Sequence, residues 1–156
     1  MIGQPGDSAA TERFWKTVEE RHGAPVLVRG MASYISGPHI TGELWGLMYL
    51  VPDRLVFQHF AQRNWFSTLV TSPPGSVDDE SRPARERNIE IHFVLAELRA
   101  VRIAAPPQGI RRLISGGSAR LSIEPRDGSG AVELRIEHGA DEFAQHLPRA
   151  FRAAAP

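Results

Sequence analysis

The sequence predicts a mainly β domain with a closing C-terminal helix, and three observations carry that reading. Apolar residues alternate with polar ones through most of residues 26–137, turn chemistry interrupts that alternation at short intervals, and the last segment switches to helical periodicity. The 156 residues and 42% hydrophobic content suffice for one buried core without covalent staples.

The chain starts with a helix over 7–22. Asp7 or Ser8 caps it, Phe14, Trp15, Val18 and His22 recur at helical spacing, and Gly23 with Pro25 ends it. Strand character begins at Val26 and runs to Ser36, where Gly37-Pro38 breaks it. Segments 44–51 and 55–60 flank Pro52-Asp53. Proline at the first corner and aspartate at the second make a tight hairpin. Strand character continues through Trp65, Phe66, Leu69 and Val70. Residues 72–88 then carry Pro73, Pro74, Gly75 and a run of charges with little to bury, which predicts a flexible loop.

Alternation resumes at Ile89, Ile91, Phe93 and Leu95, and a further strand at 99–104 ends at Pro106-Pro107. Leu121 and Ile123, then Val132, Leu134 and Ile136, alternate with polar residues on either side of Asp127-Gly128-Ser129-Gly130, a hairpin turn sequence. Ala140, Phe143, Ala144, Leu147, Ala150 and Phe151 share one helical face, with Asp141 and Glu142 in the first turn, where the helix dipole favours negative charge. Pro148 lacks the N–H that would reach Ala144 and is expected to kink this helix. Residues 1–23 therefore form a helical extension, and 24–153 the domain.

In this order, the hairpin Gly42-Glu43-Leu44-Trp45-Gly46-Leu47-Met48-Tyr49-Leu50 through Arg54-Leu55-Val56-Phe57, the corner Phe93-Val94-Leu95-Ala96-Glu97-Leu98, and the closing Asp141-Glu142-Phe143 with Leu147 resemble the pleckstrin-homology-like superfold, particularly its bacterial and GRAM-type members. The resemblance covers about Val26 to Phe151. It implies a partly open seven-stranded antiparallel barrel, two sheets packed face to face, with the C-terminal helix plugging one end. It also implies a binding role, since members bind phosphoinositide head groups, peptides or partner domains, and bacterial ones often form rings.

Composition narrows the function. Eighteen basic and eighteen acidic residues cancel, so no net field draws the chain to nucleic acid. Seventeen of the basic residues are Arg against the single Lys16, and their scatter among acids fits codon bias better than phosphate recognition. The absence of cysteine excludes disulfides and thiolate chemistry, and the N-terminal residues have no signal-peptide pattern, so a cytoplasmic location is expected. No Gly-x-Ser-x-Gly elbow or phosphate-binding loop occurs, and Gly116-Gly117-Ser118 reads as the loop before a strand. Neither an enzyme nor a cofactor is expected. His59 and His92 lie on strands expected to pair, but two histidines without a third ligand make no zinc site.

The candidate ligand- or partner-binding residues are Arg29, Arg54, Arg63, Trp45 and Tyr49. The arginines are candidates for an anion at the barrel mouth, although Arg54 is equally placed to pair with Asp53 or Glu43. Only Arg29 lies between Val26 and Tyr49, so the basic cluster of phosphoinositide binders is missing and membrane lipid is the weaker partner. A protein partner, or a second copy of the chain, comes first. A small-molecule or lipid carrier using the barrel interior is the alternative, and it requires an enclosed cavity. Segment 44–51 is apolar on both faces, with Leu44, Met48 and Leu50 on one and Trp45, Leu47, Tyr49 and Val51 on the other. A half-wet antiparallel strand should alternate. The second face therefore needs a cover: the N-terminal helix through Phe14, Trp15 and Val18, a second copy of the chain, or a ligand.

Overall fold

The computed structural model describes residues 5–61, 84–104 and 118–156. Helix α1 (Pro5–His22) precedes three strands, β1 (Val28–Ser36), β2 (Leu44–Val51) and β3 (Arg54–His59). A 3-10 turn at Ala84–Glu86 leads into β4 (Ile89–Val94), and a second one at Leu95–Glu97 turns the corner into β5 (Leu98–Ile103). Strands β6 (Ala119–Pro125) and β7 (Val132–His138) are followed by α2 (Ala140–Ala154). The expected strand continuation at 65–70 and residues 72–83 of the expected loop lie outside the described residues.

All pairings are antiparallel, and the strand order is β4-β3-β2-β1-β7-β6-β5. The sequence-adjacent β4 and β5 are thus the two edges of one curled sheet, a half-barrel open along the seam between them. The concave side is filled. Tyr34, Phe57, Met48, Leu121, Leu134 and Ile136 are fully buried there, with Phe143 and Leu147 of α2 closing one end. Helix α2 runs on through Pro148 to Ala154.

The strands form because their alternation matches the pleat. Along β7, Val132, Leu134 and Ile136 point inward and the intervening Arg135 is exposed. Strand β2 breaks that rule as its sequence requires. Leu44, Met48 and Leu50 belong to the barrel core, while Leu47, Tyr49 and Val51 join Val56 and Phe60 in a second apolar layer on the convex side. Phe14, Trp15 and Val18 of α1 cover that layer. The helix is therefore packed on the outer face of β2, as its apolar stripe demands.

One residue departs from that expectation. Trp45 is 41% exposed and is absent from the layer. The β2 residues that α1 covers are Leu47, Tyr49 and Val51, and Trp45 sits one strand repeat beyond them, opposite Ser33.

The closure between β1 and α2 depends on Gly30. A Cβ there would collide with the His138 backbone carbonyl and stand 3.0 Å from the Phe143 ring. Gly30→Ala should therefore pry β1 from the end of β7 and from α2 and cost about 1–3 kcal/mol. Denaturant melts should show a lowered midpoint with an unchanged slope, and an unchanged midpoint would mean the junction is loose.

Candidate functional site

Two polar features meet at β4. In this strand Ile89, Ile91 and Phe93 face the core, while Glu90 and His92 face outward. The outward side of β4 runs beside the C-terminal turn of α1. There Arg21 forms an ion pair with the Glu90 carboxylate, which also receives a hydrogen bond from His92. The Glu90 side chain is only 4% exposed, so this acid is buried by its partners. Burial alone would raise the Glu90 carboxyl, but the hydrogen bonds from His92 and Arg21 and both their charges outweigh it and hold it at about 2.

His22, the last residue of α1, places Nε2 3.1 Å from the Tyr49 hydroxyl. The His22 ring lies 5.9 Å from that of His92. Burial, followed by the neighbouring charges of Arg21, His92 and Arg54, pushes the His22 imidazole below its ordinary value. Burial also pushes the Tyr49 phenol far up, leaving it a neutral hydroxyl. The cluster is thus a set of mutually satisfied groups that fastens the end of α1 to β2 and β4.

The second feature is a cleft of about 680 Å³ at the open seam, which reaches the cluster at His92. One wall is the β4 edge and the following corner, His92, Phe93, Val94, Ala96 and Glu97. The opposite wall is the β6–β7 turn, with Arg126, Asp127 and Ser129, and His39 from the β1–β2 loop lies across it. Strand register brings these together, because Leu98 pairs with Pro125 and sets the β4–β5 corner against the β6–β7 turn. The backbone N–H of Arg126 donates to the Glu97 carbonyl, and its guanidinium Nε donates to the Leu98 carbonyl at 3.1 Å. His39 stacks edge-on against Phe93 at 5.9 Å, and desolvation there lowers its imidazole. Asp127 is held ionised below its usual range by the hydroxyl and backbone N–H of Ser129.

The residues singled out from sequence are distributed differently. Arg29 lies over the Trp15 ring, 5.1 Å from its centroid, a cation–π contact on the face of α1. Arg54 forks onto Asp53 at 2.7 and 3.1 Å. The structure therefore gives these two arginines separate partners and does not gather them into one anion site. Tyr49 is fully buried beneath α1, and Trp45 remains part-exposed on the convex face. Arg63 lies outside the described residues. His59 and His92 do not meet, since His59 stands opposite Ile89 and His92 opposite Val56. No group of three or more metal-ligating side chains occurs among the described residues. No helix among them is long and apolar enough to cross a membrane.

Sequence reasoning missed Arg21, His22, Glu90 and His92 as a cluster, and His39, Glu97, Arg126 and Asp127 as a cleft. For the cluster a signal existed: a strand carrying Glu and His on its outer face, in a molecule whose helix stripe ends in Arg-His. For the cleft there was none, because its residues come from three turns joined only by register.

No family model and no curated protein matches the chain. Among solved structures, it is similar to the C-terminal domain of an unknown protein from Leishmania infantum, with 9% identity, a TM-score of 0.48, and coverage of 89% of this chain and 95% of that one. It is also similar to the PDZ-RhoGEF DH/PH domains in complex with GTP-gamma-S activated RhoA, with 12% identity, a TM-score of 0.46, and coverage of 94% and 36%. The DH/PH domains of p115-RhoGEF match with 9% identity, a TM-score of 0.42, and coverage of 85% and 31%. The chain spans about a third of the length of the two RhoGEF structures. At such identities and scores these likenesses decide nothing about function.

Proposed function

We propose that the chain is a non-catalytic binding module of the pleckstrin-homology-like type, and that it engages a protein partner through the cleft at the barrel seam. The observation that carries this reading is the cleft's lining, an apolar floor of Phe93, Val94, Leu98 and Pro125 edged by polar groups of both signs. Such a mixture suits a polypeptide surface. A phosphoinositide head group would need converging cations, and among the described lining residues Glu97 and Asp127 stand against one arginine, Arg126. The carrier alternative is disfavoured by the barrel interior, which large side chains fill.

A photo-crosslinking amino acid at Ala96, exposed in the cleft, should capture a distinct protein from an extract of the producing cells. The same probe at the exposed Arg120 of β6 should not. Saturable, head-group-selective flotation with phosphoinositide vesicles, without a crosslink at Ala96, would replace this reading with lipid binding.

A further inference from the structure

Deepening the reading of the cleft as a protein-binding site, we propose that its occupant is an extended, basic segment of a partner protein that adds as an eighth strand to the edge of β4, which carries no further strand among the described residues. The argument begins with register. Strands β3 and β4 pair Arg54 with Val94 and Val56 with His92, and the Leu95 N–H donates to the Asp53 carbonyl. In an antiparallel ladder, opposite residues alternate between those that exchange hydrogen bonds and those that do not. The Leu95 bond fixes the phase, so Leu55 with Phe93 and Phe57 with Ile91 are the exchanging pairs. The backbone N–H and C=O of His92 and Val94 therefore point away from β3.

They point off the edge of the sheet, because β4 is terminal in the strand order. His92 and Val94 are also walls of the cleft. Among the described residues the ladder groups of these two have no strand partner, and they face a cleft that is already shaped and partly apolar. Buried ladder groups are nearly always satisfied, and an exposed edge is a template for another strand. Peptides that bind by strand addition take affinity from these main-chain bonds and specificity from alternate side chains.

The side-chain pattern selects the segment. On an added strand, every second side chain faces the same way as Phe93, over the apolar floor with Leu98 and Pro125. That register calls for apolar residues at alternate positions. The polar rim holds the carboxylates of Glu97 and Asp127, the latter kept ionised by Ser129, while the Arg126 guanidinium is drawn onto the Leu98 carbonyl. Charge complementarity therefore favours Arg or Lys where the segment passes Glu97 and Asp127.

The probe is a short capped peptide alternating valine and arginine, with two controls: an alternating valine–glutamate peptide, and the valine–arginine peptide carrying N-methyl groups on alternate backbone amides. In amide spectra of the full chain, the valine–arginine peptide should shift His92 and Val94, and the valine–glutamate peptide should bind at least about tenfold more weakly. N-methylation should abolish binding, because it removes main-chain donors and leaves side chains intact. Glu97→Lys, at an exposed position, should reverse the charge preference.

Equal binding of the N-methylated peptide, equal binding of both charges, or no shift at about 1 mM peptide would overturn strand addition. So would loss of the His92 and Val94 signals with rising protein concentration alone, which would make a second copy the occupant. A crosslink at Ala96 that persists while the peptides fail would retain the protein-binding module and discard this mode of binding.

Discussion

A chain beginning at Ala24 should unfold at much lower denaturant than the full chain and bind an apolar-surface dye under native conditions. Removing α1 strips Phe14, Trp15 and Val18 from the convex layer and uncovers Leu47, Tyr49, Val51, Val56 and Phe60. Burying such a side chain contributes roughly 1.5–3 kcal/mol, an upper figure because unfolded chains are themselves partly compact. Three of them amount to a large share of a typical net stability of about 5–15 kcal/mol.

The outer face of β3 is not wholly apolar. Gln58 is fully buried in β3, and neither end of its amide has a hydrogen-bond partner among the described residues. Trp15→Ala isolates the apolar share. It also removes the edge contact with Tyr49 at 5.6 Å and the platform under Arg29, and should cost about 3–5 kcal/mol. If the shortened chain melts like the full one and keeps its oligomeric state, α1 is an independent arm and the convex layer is stabilised by other means.

How far the sequence foretold this architecture depends on the range over which each signal acts. Segment 44–51 was read with the bounds of β2, and the Pro52-Asp53 turn fell in place, because period-two alternation and turn residues are local. The need for a cover on the second face of β2 followed from the same logic, but which of the helix, a second copy or a ligand supplies it did not, because that depends on where α1 lies on the sheet. Trp45 failed because the length of helix contact is set by where α1 lies on the sheet, which no periodicity encodes. Glu90 failed for a related reason. Alternation placed it correctly on the outer face of β4, but the end of a helix 68 residues earlier turned that face into an interior. Arg54 pairs with Asp53, one of the two partners its sequence neighbourhood offers, whereas the contact of Arg29 with Trp15 depends on where α1 lies. The cleft was not legible, because His39, Glu97 and Asp127 converge only once the register of β5 on β6 is set.

The buried acid has the second large consequence. Replacing Glu90 with Gln should destabilise the chain near neutral pH and flatten its acid unfolding. The Glu90 carboxyl lies at about 2 in the folded chain against an ordinary 4.5, so folding favours its ionised form. The stability this confers is complete above about pH 4.5 and is lost as the pH falls through about 2. At 1.36 kcal/mol per unit, the difference corresponds to about 3 kcal/mol. Glu90→Gln keeps the shape of the side chain but not its charge, and leaves Arg21 and His92 without their counter-ion. His22 acts in the same direction at higher pH, since its lowered imidazole loses stability as the pH falls below about 6.5. The diagnostic is therefore the difference between the two proteins. Denaturant midpoints from pH 7 to pH 2 should start well apart and converge below about pH 4.5, with the wild type falling more steeply. Parallel curves across that range would show that Arg21 and His92 do not hold the Glu90 charge, and that α1 is fastened by its apolar stripe alone.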